Sequence, residues 1–285
     1  MSEATHRPSE FYGKRVTAPP SAAIRKAIGR ERCPFLERKC NKQRKSDSSQ
    51  TIGACAVEHS GSDLVICPHR FLQRDQIFLD CVHLLKGRGR FYVVPEITVP
   101  GGIVDYFLVL RDGSRLLDYI GIEIQALDTT STGGIWDART DIVSNRVEGK
   151  YGYGINWRMS AKTILMQLHH KAEAFDTLKK KLVLVLQEPF MAYIEREFTA
   201  GHLRAADPHD PVWFHTYNLV DINGELVLVK DKAKSTNVKG IGSMLGRAES
   251  TAASEEEIRA AIEAKFDQAF EVHPSGAGPR RRARR

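Results

Sequence analysis

Two runs rich in β-branched and aromatic residues, separated by a short polar link, constrain the fold of this chain most. The runs are "IVDYFLVL" (residues 103–110) and "RLLDYIGIEIQ" (115–125), and Asp112, Gly113 and Ser114 lie in the link between them. Such residues favour strands, and a glycine in a short polar link favours a tight turn. The sequence therefore predicts an antiparallel hairpin.

The second run carries polar residues on one face. Isoleucines alternate there with Glu123 and Gln125, so a carboxylate and a carboxamide share a face of the strand. If three residues form the turn, Asp105 lies opposite Gly121 and diagonal to Glu123, about 7 to 8 Å away. A register slipped by one residue would instead place Asp105 among the isoleucines. Burial favours the first register, in which the two carboxylates converge.

Converging carboxylates are typical of a divalent-cation site. We expect Asp105 and Glu123 to bind Mg²⁺, which stabilises charge on a phosphodiester and activates a water. Gln125 would orient that water or contact the phosphate, and Glu96, in "VVPEITVPGG", would assist the base or bind a second ion. The alternative is that these residues form only the solvent face of a half-exposed sheet.

The surrounding segments predict an α/β arrangement. Apolar spacing predicts helices over residues 70–87 and 160–181, the second with a serine N-cap and lysines in its last turn. The apolar run 182–187 predicts a strand buried on both faces. An acidic strand, an E-x-Q strand, a helix and a buried strand follow in the order that is typical of the PD-(D/E)xK nuclease core.

Four cysteines form a second candidate site. Cys33, Cys40, Cys55 and Cys67 lie within 35 residues, in a segment too polar to fold around a core of its own. Four thiolates suit a tetrahedral metal ion, whose binding would stabilise this segment. No C-x-x-C pair is present, and the alternatives are disulfides, disfavoured without a secretory signal, or unrelated buried thiols. Cys81 is predicted to be a buried core thiol.

Net charge and hydropathy indicate the cellular environment of the protein. The net charge is +7 at pH 7, and the final "RRRARR" supplies five of the positive charges, so the body is only mildly basic. Such a tail attracts phosphate without sequence preference, or it is a disordered solubilising end. No apolar run is long enough to cross a bilayer, and no signal region opens the chain. We therefore expect a cytoplasmic protein without a membrane partner.

Several stretches resemble a known family. "CPFLERKC", "GACAV" and "ICPHRF", then "VDYFLVL", "GIEIQALDTT" and "YGINWRMSAKTILMQLHHKAEAF", resemble the NotI family of Type II restriction endonucleases over about residues 30 to 195. The resemblance covers both candidate sites, and a four-cysteine knuckle ahead of a D...E-x-Q strand pair is an uncommon combination. It implies an α/β fold with a PD-(D/E)xK restriction-endonuclease-like core, a mixed central sheet flanked by helices, preceded by a Cys₄ metal-binding knuckle.

The resemblance also implies roles for these residues. The four cysteines would hold a structural iron, with zinc as the alternative, and Asp105 and Glu123 would bind Mg²⁺. Gln125 would replace the usual catalytic lysine. The substrate would be a GC-rich palindromic site in double-stranded DNA. A homodimer is expected as well, because two identical active sites suit two antiparallel strands. The chain is shorter than NotI itself, which leaves its recognition sequence open.

These features divide the chain into four predicted regions. A loose polar arm is expected over residues 1–31, the Cys₄ knuckle over 32–70 and the endonuclease core over 71–230. Residues 231–285 would contain a mobile loop, an amphipathic helix that begins with a capping box at Ser254, and the arginine-rich tail.

The segment after the E-x-Q strand is predicted to contact DNA. It is rich in Arg, Asn, Tyr and Trp, and its candidates for phosphate or base contacts are Arg139, Asn145, Arg146, Lys150 and Arg158. The alternative is a well-ordered surface loop. His169 and His170 fall in mid-helix, where at least one should face solvent, and neither is a convincing catalyst.

Two other functions fit the sequence. A metal-stabilised DNA-binding protein without catalysis would bind DNA tightly but would not nick it with Mg²⁺. A repair or homing-type nuclease on the same core would show relaxed or structure-dependent cleavage.

Overall fold

A computed structural model describes residues 6–44, 47–198, 200–245 and 255–272. These residues form a mixed α/β protein with one large mixed sheet, smaller sheets and several helices, as the sequence predicts at this level. The strands are β1 His6–Phe11, β2 Lys14–Arg15, β3 Arg32–Cys33, β4 Arg38–Lys39, β5 Gln43–Arg44, β6 Asp47–Thr51, β7 Ala54–His59, β8 Ser62–Val65, β9 Arg90–Val99, β10 Gly102–Asp112, β11 Arg115–Ile124, β12 Leu182–Gln187, β13 Arg204–Ala205, β14 Val212–Ile222, β15 Glu225–Thr236 and β16 Phe270–Val272. The α-helices are α1 Ala22–Arg30, α2 Gln76–Leu79, α3 Gly133–Val143, α4 Trp157–Thr177, α5 Glu188–Glu197, α6 Val238–Leu245 and α7 Glu255–Ala264.

Two compact units divide the chain, and each is discontinuous in sequence. As far as they are described, the first contains Met1–Arg74, Ala126–Ser160 and Asn218–Val229, and the second contains Asp75–Gln125, Ala161–Tyr217 and Lys230–Arg285. These units cut across the predicted regions, because the segment that follows β11 belongs to the first unit and not to the core predicted over 71–230.

The second unit contains most of the large sheet, whose strand order is β13-β15-β14-β12-β11-β10-β9-β16. Strands β9, β10 and β11 are antiparallel neighbours, whereas β11, β12 and β14 run parallel. All of β12 is buried, which confirms the strand predicted to be covered on both faces. Helix α5 packs on β12, and α7 packs on β9.

The predicted hairpin is confirmed as β10 and β11, but its register is not the predicted one. Asp112 pairs with Arg115, which leaves a two-residue turn, and the register shifts again within β10. Gly121 therefore faces Phe107 and not Asp105. Because the total shift is two residues, Asp105 keeps the face that the sequence assigned to it.

Helix α4 confirms the helix predicted over 160–181, with different ends. It begins at Trp157 and ends at Thr177, so its last turn contains no basic residue. Ser160 lies inside the helix, where its hydroxyl accepts a hydrogen bond from the N–H of Asp128 at 3.2 Å, and is therefore not the N-cap.

The single helix predicted over 70–87 is wrong. Arg74 and Asp75 both have a φ of +56°, in the left-handed region that ends a right-handed helix. The segment consequently forms short 3₁₀ turns on either side of the four-residue α2. Cys81 is fully buried there, which confirms the prediction of a core thiol.

The predicted C-terminal region is more regular than expected where it is described. Strand β15 extends to Thr236 and α6 follows, so residues 231–245 are not a loop. Helix α7 corresponds to the predicted amphipathic helix, and Ile258 and Ile262 are buried. The end of the predicted loop, the capping residue Ser254 and the arginine-rich tail lie outside the described residues.

The first unit contains the four-stranded sheet β2-β1-β7-β8, and α1 packs near β1 and α3. Strands β1 and β2 and helix α1 occupy residues predicted to be a loose arm, so that prediction is wrong where this part is described. The cause is apolar burial that the polar composition concealed: Phe11, Ile24 and Ile28 lie in the core.

The turn between β9 and β10 brings the second unit's sheet against α4. Val99 pairs with Gly102, so Pro100 and Gly101 form the turn, and Gly101 has a φ of +92° that suits glycine. A Cβ on Gly101 would lie 2.4 Å from the carbonyl oxygen of His170 in α4. The backbone of the turn therefore contacts the backbone of the helix.

We expect Gly101→Ala to destabilise the protein more than Gly113→Ala, its matched control. Gly113, in the β10–β11 turn, also has a positive φ of +56°, but a Cβ there would meet nothing within 4 Å. Both substitutions carry a left-handed backbone cost of about 1 to 2 kcal/mol. Only Gly101→Ala adds a steric cost of about 1 to 3 kcal/mol. Urea denaturation measures both, and equal losses would contradict the contact.

Candidate active site

Three acids lie side by side across adjacent strands of the second unit. The pairing of Tyr106 with Ile122 places Asp105 beside Glu123 on β11, and the β9–β10 register places Asp105 beside Glu96 on β9. Glu96 is exposed, Asp105 is half-buried and Glu123 is only 3% exposed. The alternative of a purely solvent-facing row therefore fails for Glu123.

The structure brings together the two carboxyl groups that were predicted to converge. Asp105 Oδ2 accepts a hydrogen bond from the N–H of Ile124 at 2.8 Å, which ties the carboxylate to the neighbouring strand. The side chains of Asp105 and Glu123 lie beside each other across the two strands. They lie on directly adjacent positions and not on the predicted diagonal.

Burial and mutual repulsion disfavour two negative charges at this position. The pKa of Glu123 is raised to about 7, first by burial and then by the charge of Asp105, while the ammonium of Lys171 opposes the rise. The pKa of Asp105 is also raised, chiefly by burial, and the hydrogen bond from Ile124 opposes this rise. The pair therefore retains a proton near neutral pH. A cation bound between the two carboxyl groups would stabilise their charged forms.

Lys171 is the residue of this site that sequence analysis missed. It is 1% exposed, its Nζ forms an ion pair with Glu123 Oε1, and the same Nζ donates to the carbonyl oxygen of Ile103 at 2.5 Å. It follows Leu168 by three residues and precedes Phe175 by four, and both are fully buried. A lysine on the apolar stripe of a helix was the available signal, since a buried ammonium needs a partner.

Gln125 and Glu96 border the acid pair. Gln125 directly follows β11, is half-buried, and donates its backbone N–H to the carbonyl oxygen of Val185 at 2.9 Å. Alternation along the strand puts Gln125 on the face of Glu123. Glu96 has a left-handed φ of +51°, which is strained for a residue other than glycine, and its carbonyl oxygen accepts a hydrogen bond from Lys265. Their catalytic roles stay predictions.

The residues predicted to contact DNA all belong to the first unit, and three of them, Arg139, Asn145 and Arg146, have side-chain partners there. The guanidinium of Arg139 pairs with Glu31 at 2.8 Å and lies over the ring of Trp136. The side-chain oxygen of Asn145 accepts a hydrogen bond from Arg25 at 2.7 Å. Arg139 is mostly buried in this pair, so a contribution to folding accounts for it without DNA.

Three basic residues among the predicted DNA contacts are exposed. Arg146 pairs with Asp141 at 2.8 Å but is 69% exposed, so the pair is weak and easily replaced. Lys150 follows the loop after α3, and Arg158 lies in the first turn of α4. These three side chains are accessible to a phosphate.

The four cysteines of the predicted knuckle lie in the first unit as free thiols. Burial raises the pKa of Cys33 and Cys55, and it raises the pKa of Cys67 to about 11. The charge of Cys40 contributes to the rise at Cys33 and Cys67, so these thiols are near enough to interact. Four cysteine thiolates, formed when a bound ion displaces the protons, are a donor set that suits iron or zinc.

Their arrangement is nevertheless not that of a formed metal centre. Across the part of the chain that the structure describes, no three His, Cys, Asp or Glu side chains are placed to hold one ion together. The thiols nevertheless fit iron or zinc in chemistry.

Two comparisons with known proteins give no match. No model of a known protein family matches the sequence, and no curated protein matches it. Any function therefore rests on the chemistry of the site.

Among the helices of the described ranges, none is both long and apolar enough to cross a membrane. His170 is exposed, as expected for at least one of the mid-helix histidines.

The raised pKa of Glu123 predicts a specific pH dependence of stability. The folded state holds the proton more tightly than the unfolded state, whose pKa is near the ordinary 4.5. The contribution of Glu123 to the free energy of unfolding is therefore largest below about pH 4.5 and falls as the pH rises to about 7. Glu123→Gln should flatten this fall relative to wild type in urea denaturation without divalent metal. Asp112→Asn, at the exposed end of β10, is the control and should leave the slope unchanged.

Proposed function

We propose that this protein is a Mg²⁺-dependent endonuclease of the Type II restriction class, with a PD-(D/E)xK core, that hydrolyses phosphodiester bonds in both strands of double-stranded DNA. The observation that supports this proposal best is the Asp105–Glu123 pair, whose side chains lie beside each other on neighbouring strands and whose pKa values are both raised by burial. A buried acid pair that favours an added cation, on adjacent strands and open to solvent towards Glu96, is suited to metal-assisted hydrolysis.

Each polar residue of the site would have its own role in the hydrolysis. Asp105 and Glu123 would hold Mg²⁺, which when bound supplies charge neutralisation at the phosphate and activation of a water. Glu96, at the exposed end of the row, would accept a proton or assist a second ion. Gln125, on the face of Glu123, would orient the water or contact the phosphate.

Lys171 would supply the positive charge that Gln125 lacks. PD-(D/E)xK sites carry a lysine two residues after the strand glutamate, and the glutamine here is neutral. The ammonium of Lys171 reaches Glu123 from helix α4 and is also fixed by the carbonyl of Ile103 at 2.5 Å. With a cation on the acid pair, Glu123 would demand less of this ammonium, which would then stabilise negative charge on the phosphate.

Duplex DNA is supported as the substrate by charge and by family resemblance. The sequence carries a net charge of +7, and Arg146, Lys150 and Arg158 are exposed in the first unit. Phosphate contacts of this kind give affinity without reading sequence. A homodimer acting on a GC-rich palindrome is the assembly that the NotI-like motifs imply.

The four thiols would bind a structural iron or zinc ion. The raised pKa values of Cys33, Cys55 and Cys67 mean that these three metal-free thiols keep their protons, so binding would release protons and would be coupled to ordering of the polar segment around them. This ion would stabilise the first unit and take no part in the chemistry of the acid pair.

Asp105→Asn and Glu123→Gln should abolish Mg²⁺-dependent cleavage of plasmid DNA, with losses on the order of 10⁴-fold. Both should leave metal-free DNA binding equal or tighter in a gel-shift assay, because each removes a charge that repels phosphate. Gln125→Ala should slow cleavage by about 10²- to 10³-fold, as expected for one polar contact. Asp112→Asn is the control. Tight binding without cleavage by wild type would favour the non-catalytic alternative.

Lys171→Met provides a second arm of the same assay. It should reduce cleavage strongly while Lys162→Met, on the exposed face of the same helix, leaves the rate unchanged. Because removal of one buried partner also costs stability, circular dichroism must first show that Lys171→Met is folded. A folded Lys171→Met protein that cleaves at the wild-type rate would limit Lys171 to a structural role.

Cys40→Ser and Cys55→Ser should release a bound metal ion and lower the melting temperature, because metal binding is coupled to folding of this segment. Elemental analysis of the purified proteins measures the ion, and Cys81→Ser, at a buried thiol outside the knuckle, is the control. Wild-type protein without stoichiometric iron or zinc would contradict the knuckle.

A further inference from the structure

Two histidines of the first unit face each other across neighbouring strands. His6 of β1 and His59 of β7 are register partners, and their ring centroids lie 5.0 Å apart with the ring planes at 56°. Two imidazoles that bind one tetrahedral ion, with metal–nitrogen distances of about 2.0 Å, have centroids about 5 Å apart. The pair therefore has the spacing of two ligands of one ion.

In each of these histidines, one buried ring nitrogen lacks a hydrogen-bond partner. These atoms are His6 Nε2 and His59 Nδ1. The other nitrogen of His6, Nδ1, lies 3.1 Å from the carbonyl oxygen of Tyr151 and must donate to it. His6 Nε2 therefore carries the lone pair of the neutral ring, and a backbone carbonyl that fixes the second nitrogen is typical of histidines that bind metals.

The surroundings hold both rings in place. The ring of Tyr153 stacks on His6 at 4.2 Å and 23°, and the backbone N–H and carbonyl of His6 bond to Gly149 and Tyr151 at 3.0 and 2.8 Å. Imidazoles that are held rigidly need little reorganisation to bind an ion.

We propose that His6 and His59 form a binding site for a borderline divalent transition-metal ion, such as Zn²⁺ or Ni²⁺, separate from the acid pair and from the four cysteines. Imidazole nitrogen suits these ions, whereas Mg²⁺ prefers oxygen. The ion would clamp β1 to β7 and, through the backbone bonds of His6, secure the segment that carries Lys150.

Two measurements on the full-length protein test this proposal. Isothermal titration calorimetry with Ni²⁺ measures binding, and thermal unfolding with and without the ion measures the change in melting temperature. Wild type should bind Ni²⁺ at this site and melt at a higher temperature with it, because ligand binding stabilises the folded state. His6→Gln and His59→Gln should each weaken this binding at least tenfold. His170→Gln, at an exposed histidine, and Cys40→Ser, in the cysteine cluster, should retain it.

The two sets of variants separate the possible sites. Binding that survives both His6→Gln and His59→Gln, or that is lost in Cys40→Ser or His170→Gln alone, would overturn the proposal, as would wild-type protein that binds no Ni²⁺. Circular dichroism of the two glutamine variants and of Cys40→Ser excludes unfolding as the cause of lost binding. Loss of DNA cleavage is not a readout here, so the outcome is independent of the proposed nuclease activity.

Discussion

The ion pair between Lys171 and Glu123 is the interaction on which the second unit's site depends. A carboxylate that is 3% exposed, beside a second acid, would be strongly unfavourable without a nearby positive charge. The ammonium that provides it comes from α4, so the helix must lie close to the hairpin. Gly101 makes that approach possible, because only a residue without Cβ fits against the carbonyl of His170. Electrostatics and backbone packing therefore fix the same helix position.

Periodicity explains what could be predicted from the sequence. Alternation in β11 gave the face of Glu123 correctly, and the unbroken apolar run gave β12, because side-chain direction in a strand depends only on position along it. The hairpin register could not be read in the same way. A two-residue turn and a register shift within β10 together moved the partner of Gly121 to Phe107, and local sequence does not distinguish these from a longer turn.

Long-range pairing explains what could not be predicted. In the sequence, Lys171 resembles any other helix residue, because its partner on β11 is remote along the chain. Its place on the buried stripe of the helix did indicate that it needs a partner. Arg139 looked like a DNA contact for the converse reason, because its partner Glu31 is remote in sequence. The loose arm was wrong because its few apolar residues find their neighbours in distant strands. In each case the contact that decides the role of the residue joins two segments that are far apart in the sequence.

The connection between β11 and β12 has a consequence for the order in which the site can assemble. The β10–β11 hairpin is local and can form early, whereas the parallel pairing of β11 with β12 must await the long intervening segment that contains α4. Until α4 docks, Asp105 and Glu123 lie together on a hairpin without their ammonium partner. The acid pair is then a point of local frustration that the docking of α4 relieves, so in a nascent chain the pair gains its ammonium partner only after the segment through α4 has been made.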